Sequence, residues 1–265
     1  MDFKLILGYD CNLKCDYCYQ THTKAEMDYK TLDKFIERFN KLKGVHTINL
    51  FGGEPLLYVD KIKYLMDRID NRHELSISTN GTMRDRFYML QEKWNKPIAN
   101  LLSNKVHKNY NKLNDLSYFR FIVTKDNIDE LTEDLVKFLG NEYKEKLQFK
   151  YTMDRKWEYE DVKKLENVEK QLKHIIGDNY RIDLPVNYNA KFVCFVSDKC
   201  CFINYNGEYL GCHRLPNTKL GNIFDDDFIP VHNSYCLDCN TNKVDNLFSY
   251  GEYKFKGTSL FHSCD

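Results

Sequence analysis

Along roughly the first 180 positions, short apolar runs alternate with longer stretches in which apolar residues recur every three or four positions. Runs of the first kind read as β-strands and stretches of the second as amphipathic helices. Strands are expected at Phe3 to Tyr9, His46 to Phe51, Glu74 to Thr79, Ile98 to Ser103, Tyr118 to Thr124 and Leu147 to Met153. Helical stripes are expected from Leu32, Phe35, Ile36 and Phe39, from Ile62, Leu65, Met66 and Ile69, and from Ile128, Leu131, Leu135 and Phe138. A further helix is expected from Tyr159 to Ile176, ended by Gly177, and Gly44 and Gly140 stand where C-terminal caps would be. Alternation of this kind predicts an α/β fold of repeated βα units around a parallel sheet. All these stripes are read as core packing, without functional content.

The pattern breaks after Gly177. Seven of the ten cysteines fall between Cys194 and Cys264, in a segment rich in Asn, Asp, Tyr and Gly with little helical periodicity. A loop-rich segment with so small a core needs a metal or another staple. The expected division is therefore 1–180 for the βα units and 181–265 for a small cysteine-rich domain. Asn204 to Cys212 is expected to form a hairpin, because Asn206-Gly207 between Tyr-containing flanks is a turn signal.

Composition narrows the partners. Lys plus Arg equals Asp plus Glu at 39 each, so overall charge favours neither a nucleic acid nor a membrane surface. The start lacks the features of a signal peptide and no apolar run reaches membrane-spanning length, so a cytoplasmic location is expected. In that compartment ten cysteines argue for metal or redox use over disulfides.

Cys11, Cys15 and Cys18 follow the first apolar run. A four-iron cluster held by three protein thiolates keeps one iron free for a small molecule, whereas a fully ligated cluster carries electrons or supports the fold. A zinc site and three ordinary thiols are the competing readings; zinc more often takes two separated ligand pairs. Phe51-Gly52-Gly53-Glu54-Pro55 ends the second expected strand and Ser78-Thr79-Asn80-Gly81-Thr82 the third. The two glycines would allow backbone to approach a ligand, and Glu54 offers an acceptor for an ammonium group.

Together these motifs resemble those of the radical S-adenosylmethionine (SAM) superfamily: Cys-x3-Cys-x2-Cys with an aromatic residue, here Tyr17, before the last cysteine, then Gly-Gly-Glu-Pro and Thr-Asn-Gly-Thr. The resemblance implies a partial (β/α)6 TIM-like barrel. It implies a [4Fe-4S] cluster on Cys11, Cys15 and Cys18 whose open iron holds the SAM amino and carboxylate groups, reductive cleavage of SAM, and hydrogen abstraction from a substrate by a 5′-deoxyadenosyl radical. Tyr17, Gly52, Gly53, Glu54, Ser78 and Asn80 are the implied SAM contacts, with Ser103 and Arg120 on the fourth and fifth strands. The segment from Pro97 to Leu116 departs from the family by lacking its Ser-x-Asp-Gly element.

Cys194-x5-Cys200-x11-Cys212 with Gly207, followed by Leu220-Gly221-Asn222-Ile223 and Cys236-x2-Cys239, resembles the auxiliary-cluster region called SPASM or its shortened relative, the twitch domain. This implies one further [4Fe-4S] cluster on Cys194, Cys212, Cys236 and Cys239, with Cys200 able to replace one of the last pair. A second auxiliary cluster would need eight thiolates where the tail has seven. A structural zinc site on four of these cysteines is the alternative.

The expected substrate is a ribosomally made peptide, modified by crosslinking, epimerisation or thioether formation. Because the triad begins ten residues in, a separate leader-peptide-binding protein or direct binding is expected, and a flavodoxin or ferredoxin would supply electrons. The alternatives are a small metabolite, sugar or nucleoside, or activation of a glycyl-radical protein, although Ile6 to Asp10 is not the glycine-rich segment such activases carry. From another class, a non-catalytic zinc or iron-sulfur scaffold remains.

Overall fold

The computed structural model describes residues 2–103, 110–151, 159–177, 181–183, 193–194, 200–211, 219–226 and 261–262. The first seven strands, β1 (Asp2–Ile6), β2 (Thr47–Phe51), β3 (Glu74–Thr79), β4 (Ala99–Leu102), β5 (Ser117–Val123), β6 (Leu147–Tyr151) and β7 (Arg181–Asp183), lie side by side in chain order, each parallel to the next. Beyond β8 (Val193–Cys194), β9 (Cys200–Ile203) returns to the opposite edge and pairs parallel with β1. There β10 (Glu208–Leu210) and β11 (Lys219–Asn222) extend the sheet antiparallel, while β12 (Phe261–His262) pairs only with β8.

Parallel strands need crossovers, and among the described residues five of the six between β1 and β7, all but that from β4 to β5, carry the helices α1 (Tyr29–Asn40), α2 (Val59–Met66), α3 (Arg84–Lys93), α4 (Glu133–Tyr143) and α5 (Tyr159–Ile176). Alternate strand residues Phe3, Leu5, Ile48, Leu50, Leu75, Ile77, Phe119, Phe121, Leu147 and Phe149 form one buried cluster with the helix residues Leu32, Phe35, Phe39, Ile62, Leu65, Phe87, Leu90, Val136 and Leu139. By the two-residue period, Lys4, Asn49, Ser76, Ser78, Arg120 and Gln148 occupy the other face. One face is thus a helix-covered hydrocarbon core and the other carries polar groups, as a partial α/β barrel requires.

Several boundaries differ from the sequence reading. β1 stops at Ile6 because Leu7 and Gly8 pair elsewhere: the Met27 N–H donates to the Leu7 carbonyl (2.7 Å) and Gly8 bridges Glu26. α3 had no expected counterpart, since it buries only Phe87 and Leu90 among charged neighbours. The stripe beginning at Ile128 is a short 3-10 turn, and α4 starts afresh after Thr132, whose hydroxyl accepts from the Leu135 N–H at 3.3 Å. That restart turns the buried face to Val136, Leu139 and Tyr143, leaving Phe138 42 % exposed and Gly140 inside the helix instead of capping it. Gly44 lies in the turn before β2 at φ 86°, since α1 already ends at Asn40. Gly177 does end its helix, with φ 62° and its N–H on the Lys173 carbonyl at 3.1 Å. The Asn206-Gly207 turn joins β9 to β10 antiparallel, with Gly207 at φ 80°.

Under the starts of β2 and β3, His73 is fully buried against Phe39, with ring centroids 4.4 Å apart, and its Nδ1 accepts from the His46 N–H at 3.2 Å. Burial first, then Arg72, His46 and Lys96, push its pKa below the usual imidazole range, with Asp70 opposing. The unfolded chain then binds a proton that the native state refuses. Stability is expected to be complete above about pH 6.5 and to fall below it by up to about 1.4 kcal/mol per pH unit. Urea midpoints measured from pH 7.5 to 5.5 test this; an equal slope in His73→Leu would refute it.

Candidate active site

The loop after β1 is held by backbone. The Gly53 N–H donates to the Gly8 carbonyl (3.1 Å), the Glu54 N–H to the Asp10 carbonyl (2.9 Å), and the Asp10 N–H to the Tyr58 hydroxyl (3.0 Å). Asp10 Oδ1 accepts from the Cys11 N–H at 3.0 Å, and Oδ2 meets Lys24 at 2.6 Å, which is the main reason its carboxyl titrates below the usual range. Lys24 is largely exposed, so this pair adds little stability. Cys11, Cys15 and Cys18 follow as free thiols in this anchored, partly exposed loop.

The glycines also have a physical reason within the chain itself. A Cβ on Gly52 would collide with the Gly8 carbonyl oxygen, and one on Gly53 with the Asp10 carbonyl oxygen; Gly52 also has φ 130°. The close approach that they permit is between the chain's own β1 and β2 loops. Gly8 is required in turn because a Cβ there would strike the Tyr58 hydroxyl. Gly8, Asp10 and Tyr58 were not singled out from sequence; a glycine closing the first apolar run was the one available signal.

Glu54 likewise serves the chain itself. It is 0 % exposed, and its carboxylate accepts from the Leu56 N–H (3.0 Å), the Thr79 hydroxyl (2.8 Å) and the Asn80 N–H (2.8 Å). Burial pushes its pKa up while these three donors pull it down. The acceptor proposed for an ammonium group therefore ties the end of β2 to the end of β3.

Asn80 continues the connection. Its Nδ2 donates to Asn12 Oδ1 (2.9 Å) and reaches Cys11 Sγ (3.9 Å), while its Oδ1 accepts from the Thr82 N–H (3.0 Å) and the Thr82 hydroxyl (2.6 Å). Thr82 Oγ1 accepts from Asn12 Nδ2 at 2.9 Å. The three motifs, distant in sequence, thus meet at one strand-end rim, joined by Thr82 of the third motif and by Asn12, which the sequence reading left out.

Tyr17 is half-buried, and burial followed by the neighbouring Cys15 thiol raises its pKa. The Cys11 and Cys18 thiols are raised too, chiefly by burial. The Ser78 hydroxyl donates to Asn49 Oδ1 at 3.2 Å. The Ser103 N–H donates to the Thr79 carbonyl at 3.1 Å, which brings the end of β4 to the rim. Arg120 stands at the same level: Thr79 pairs with Leu102 and Leu102 with Phe119, so the register carries Arg120 beside Ser103, where, 4 % exposed, it donates from Nε (3.2 Å) and Nη2 (2.9 Å) to Gln148 Oε1.

Among the tail cysteines, Cys194 lies in β8 and Cys200 in β9, opposite Asp2 of β1, and Cys201 is a core residue, 1 % exposed. Cys212, Cys236, Cys239 and Cys264 lie outside the described residues. Tyr205 of the β9–β10 turn packs edge-on against Tyr9, with centroids 5.9 Å apart, so this hairpin abuts the triad loop.

Among the described residues no three His, Cys, Asp or Glu side chains converge as one metal ion would need. A cubane cluster makes no such demand, because each thiolate binds a different iron. Three free, soft thiol donors in a loop anchored at its base fit such a cluster.

Residues 5–137, half of the chain, match the Radical SAM superfamily, and the chain belongs to that superfamily. Its members use a [4Fe-4S] cluster together with SAM. The probable GTP 3′,8-cyclase of Methanococcus vannielii is 28 % identical over 145 residues, covering 52 % of this chain and 46 % of that protein. The radical SAM cyclopropyl synthase TigE of Paramaledivibacter caminithermalis is 25 % identical over 181 residues, covering 52 % and 38 %. The matches thus span half or less of these relatives' length. In fold, SuiB of Streptococcus suis bound to the precursor peptide SuiA has TM-score 0.59 at 16 % identity, covering 85 % of this chain and 63 % of that one. For anSMEcpe with bound AdoMet the values are 0.56, 19 %, 95 % and 82 %. No helix among the described residues is long and apolar enough to cross a membrane.

Proposed function

We propose that this chain reductively cleaves SAM at Cys11, Cys15 and Cys18 and takes a hydrogen atom from a peptide. The observation that carries this reading is the hydrogen-bonded union of the triad loop, Gly52-Gly53-Glu54 and Asn80 at one rim. The chemistry that a three-thiolate cluster and SAM supply when bound is one-electron cleavage of the sulfonium to methionine and a 5′-deoxyadenosyl radical. The chain's own residues anchor the triad loop, orient Cys11 through Asn80 and Leu13, and offer Tyr17, Ser78 and Ser103 at or beside the rim for SAM. Arg120, level with Ser103 in the strand register, is read as a further SAM contact.

A peptide substrate is supported by the shared fold with SuiB bound to SuiA and with anSMEcpe bound to AdoMet and the Cp18Cys peptide. A nucleotide is the second reading, favoured by the GTP 3′,8-cyclase relatives. We further propose the division 1–180 and 181–265, with a SPASM- or twitch-like tail holding one auxiliary [4Fe-4S] cluster on Cys194, Cys212, Cys236 and Cys239, or with Cys200 in place of one of the last pair. The β9–β10 hairpin beside the triad loop supports this, since it brings the start of the tail to the rim.

One anaerobic experiment tests these points. The reconstituted chain is expected to hold about eight irons and, with dithionite and SAM, to form 5′-deoxyadenosine. About four irons would remove the auxiliary cluster from the proposal, and a fully loaded protein that makes no 5′-deoxyadenosine would reject the activity. If GTP, and no peptide encoded beside this chain, accelerates that product, the nucleotide reading replaces the peptide one.

A further inference from the structure

The three thiols of the triad have unlike partners. Tyr17 lies beside Cys15, and Cys18 faces His22 Nε2 at 3.5 Å; both neighbours come from the same loop. Cys11 Sγ accepts from the Leu13 N–H at 3.4 Å and is reached by Asn80 Nδ2 at 3.9 Å, from the end of β3. We infer that Asn80, oriented by the buried Glu54, is a positioning residue that donates a hydrogen bond to the Cys11 thiolate and so raises the reduction potential of the cluster this thiolate holds. The inference rests on the SAM-cleaving reading above and concerns what makes its first electron transfer feasible.

Hydrogen-bond accounting sets the direction of the amide. Asn80 Oδ1 already accepts from two Thr82 donors, so the NH2 end must point the other way. One of its two protons goes to Asn12 Oδ1 at 2.9 Å, which leaves the other for Cys11 Sγ. The backbone is equally constrained, because Glu54 Oε2 takes the Asn80 N–H at 2.8 Å while Oε1 is held by Leu56 and Thr79. A thiolate is a stronger acceptor than a thiol, so the 3.9 Å contact is expected to tighten once Cys11 is deprotonated. Hydrogen bonds to cluster sulfurs favour the more electron-rich reduced state and thereby raise its potential.

The test is an EPR-monitored redox titration of the reconstituted full chain without substrate. Asn80→Asp keeps the acceptor for Thr82 but loses the donor and adds a charge; Asn80→Ser replaces the amide NH2 by a shorter hydroxyl without adding the charge. Asn12→Asp adds a charge beside Asn80 without touching sulfur and serves as the electrostatic control. At a fixed potential, both Asn80 variants are expected to show a several-fold lower reduced-to-oxidised ratio with unchanged iron content, a tenfold fall corresponding to about 59 mV for one electron. An unchanged ratio in Asn80→Ser, or a fall in Asn12→Asp as large as that in both Asn80 variants, overturns the inference. So does failure of both Asn80 variants to retain iron, since Asn80 would then serve assembly and not potential. A wild type that binds no iron overturns the SAM-cleaving reading as well, whereas a loaded wild type with unmoved variants overturns the Asn80 role alone.

Discussion

Cys15→Ala is expected to lose 5′-deoxyadenosine formation down to the no-enzyme background. Cys15 lies in the middle of the triad, in a loop anchored at Asp10 by Glu54 and Tyr58, and no further cysteine stands among residues 1–180 to replace it. Removing a partner that merely supports a ligand already costs about 10- to 100-fold in metal affinity or activity, so removing a proposed ligand should cost at least the upper figure. Product would be followed by chromatography after dithionite reduction, with iron counted in the same sample. Cys201→Ala is the matching control: it lies in the core, so it should lower thermal stability modestly and leave SAM cleavage intact. Activity persisting in Cys15→Ala would remove this cysteine from the ligand set.

Gly52→Ala is expected to cost about 3 kcal/mol, with a fall in melting temperature on the order of 10 °C. Two effects act together. The residue sits at φ 130°, which side-chain-bearing residues rarely adopt, and its Cβ would collide with the Gly8 carbonyl oxygen. The obstacle is backbone, so no rotamer change relieves it. The only escape is to move the β1 loop away from the β2 loop, breaking the Gly53 to Gly8 hydrogen bond and displacing the triad that follows. Iron retention should therefore fall with stability. Gly44→Ala, also at positive φ but with open space around it, should cost only the backbone strain. Equal losses at the two positions would show that the loop-to-loop contact is unimportant.

These two substitutions separate what local pattern reveals from what it hides. The triad was legible because its spacing is local: three thiols within eight residues after an apolar run admit few chemical readings. Glu54 and Gly52-Gly53 were legible as a motif, but their mechanics were not. Their partners Gly8, Asp10, Thr79 and Asn80 are separated from them in sequence, and nothing in the motif itself says that its carboxylate faces inward. The same holds for Arg120, whose place beside Ser103 depends on how β4 and β5 are registered.

Period-two and period-3.6 patterns were enough to assign six parallel strands and most of their helices, because burying apolar area on one face of each element is a local demand on side-chain order. They failed at α3, whose apolar stripe is only two residues wide, and at α4, where the Thr132 cap restarted the helix and changed its phase. No local pattern could place β9 beside β1 and so carry Cys200 and Cys201 back to the first strand, because that pairing joins residues about two hundred positions apart. Residue spacing alone thus specified the chemistry on offer, three thiolates and the motifs around them. Which backbone carbonyls close the rim, and which thiolate Asn80 reaches, were settled by long-range contacts, since hydrogen bonds depend on distance in space and the chain's order constrains that distance only between near neighbours.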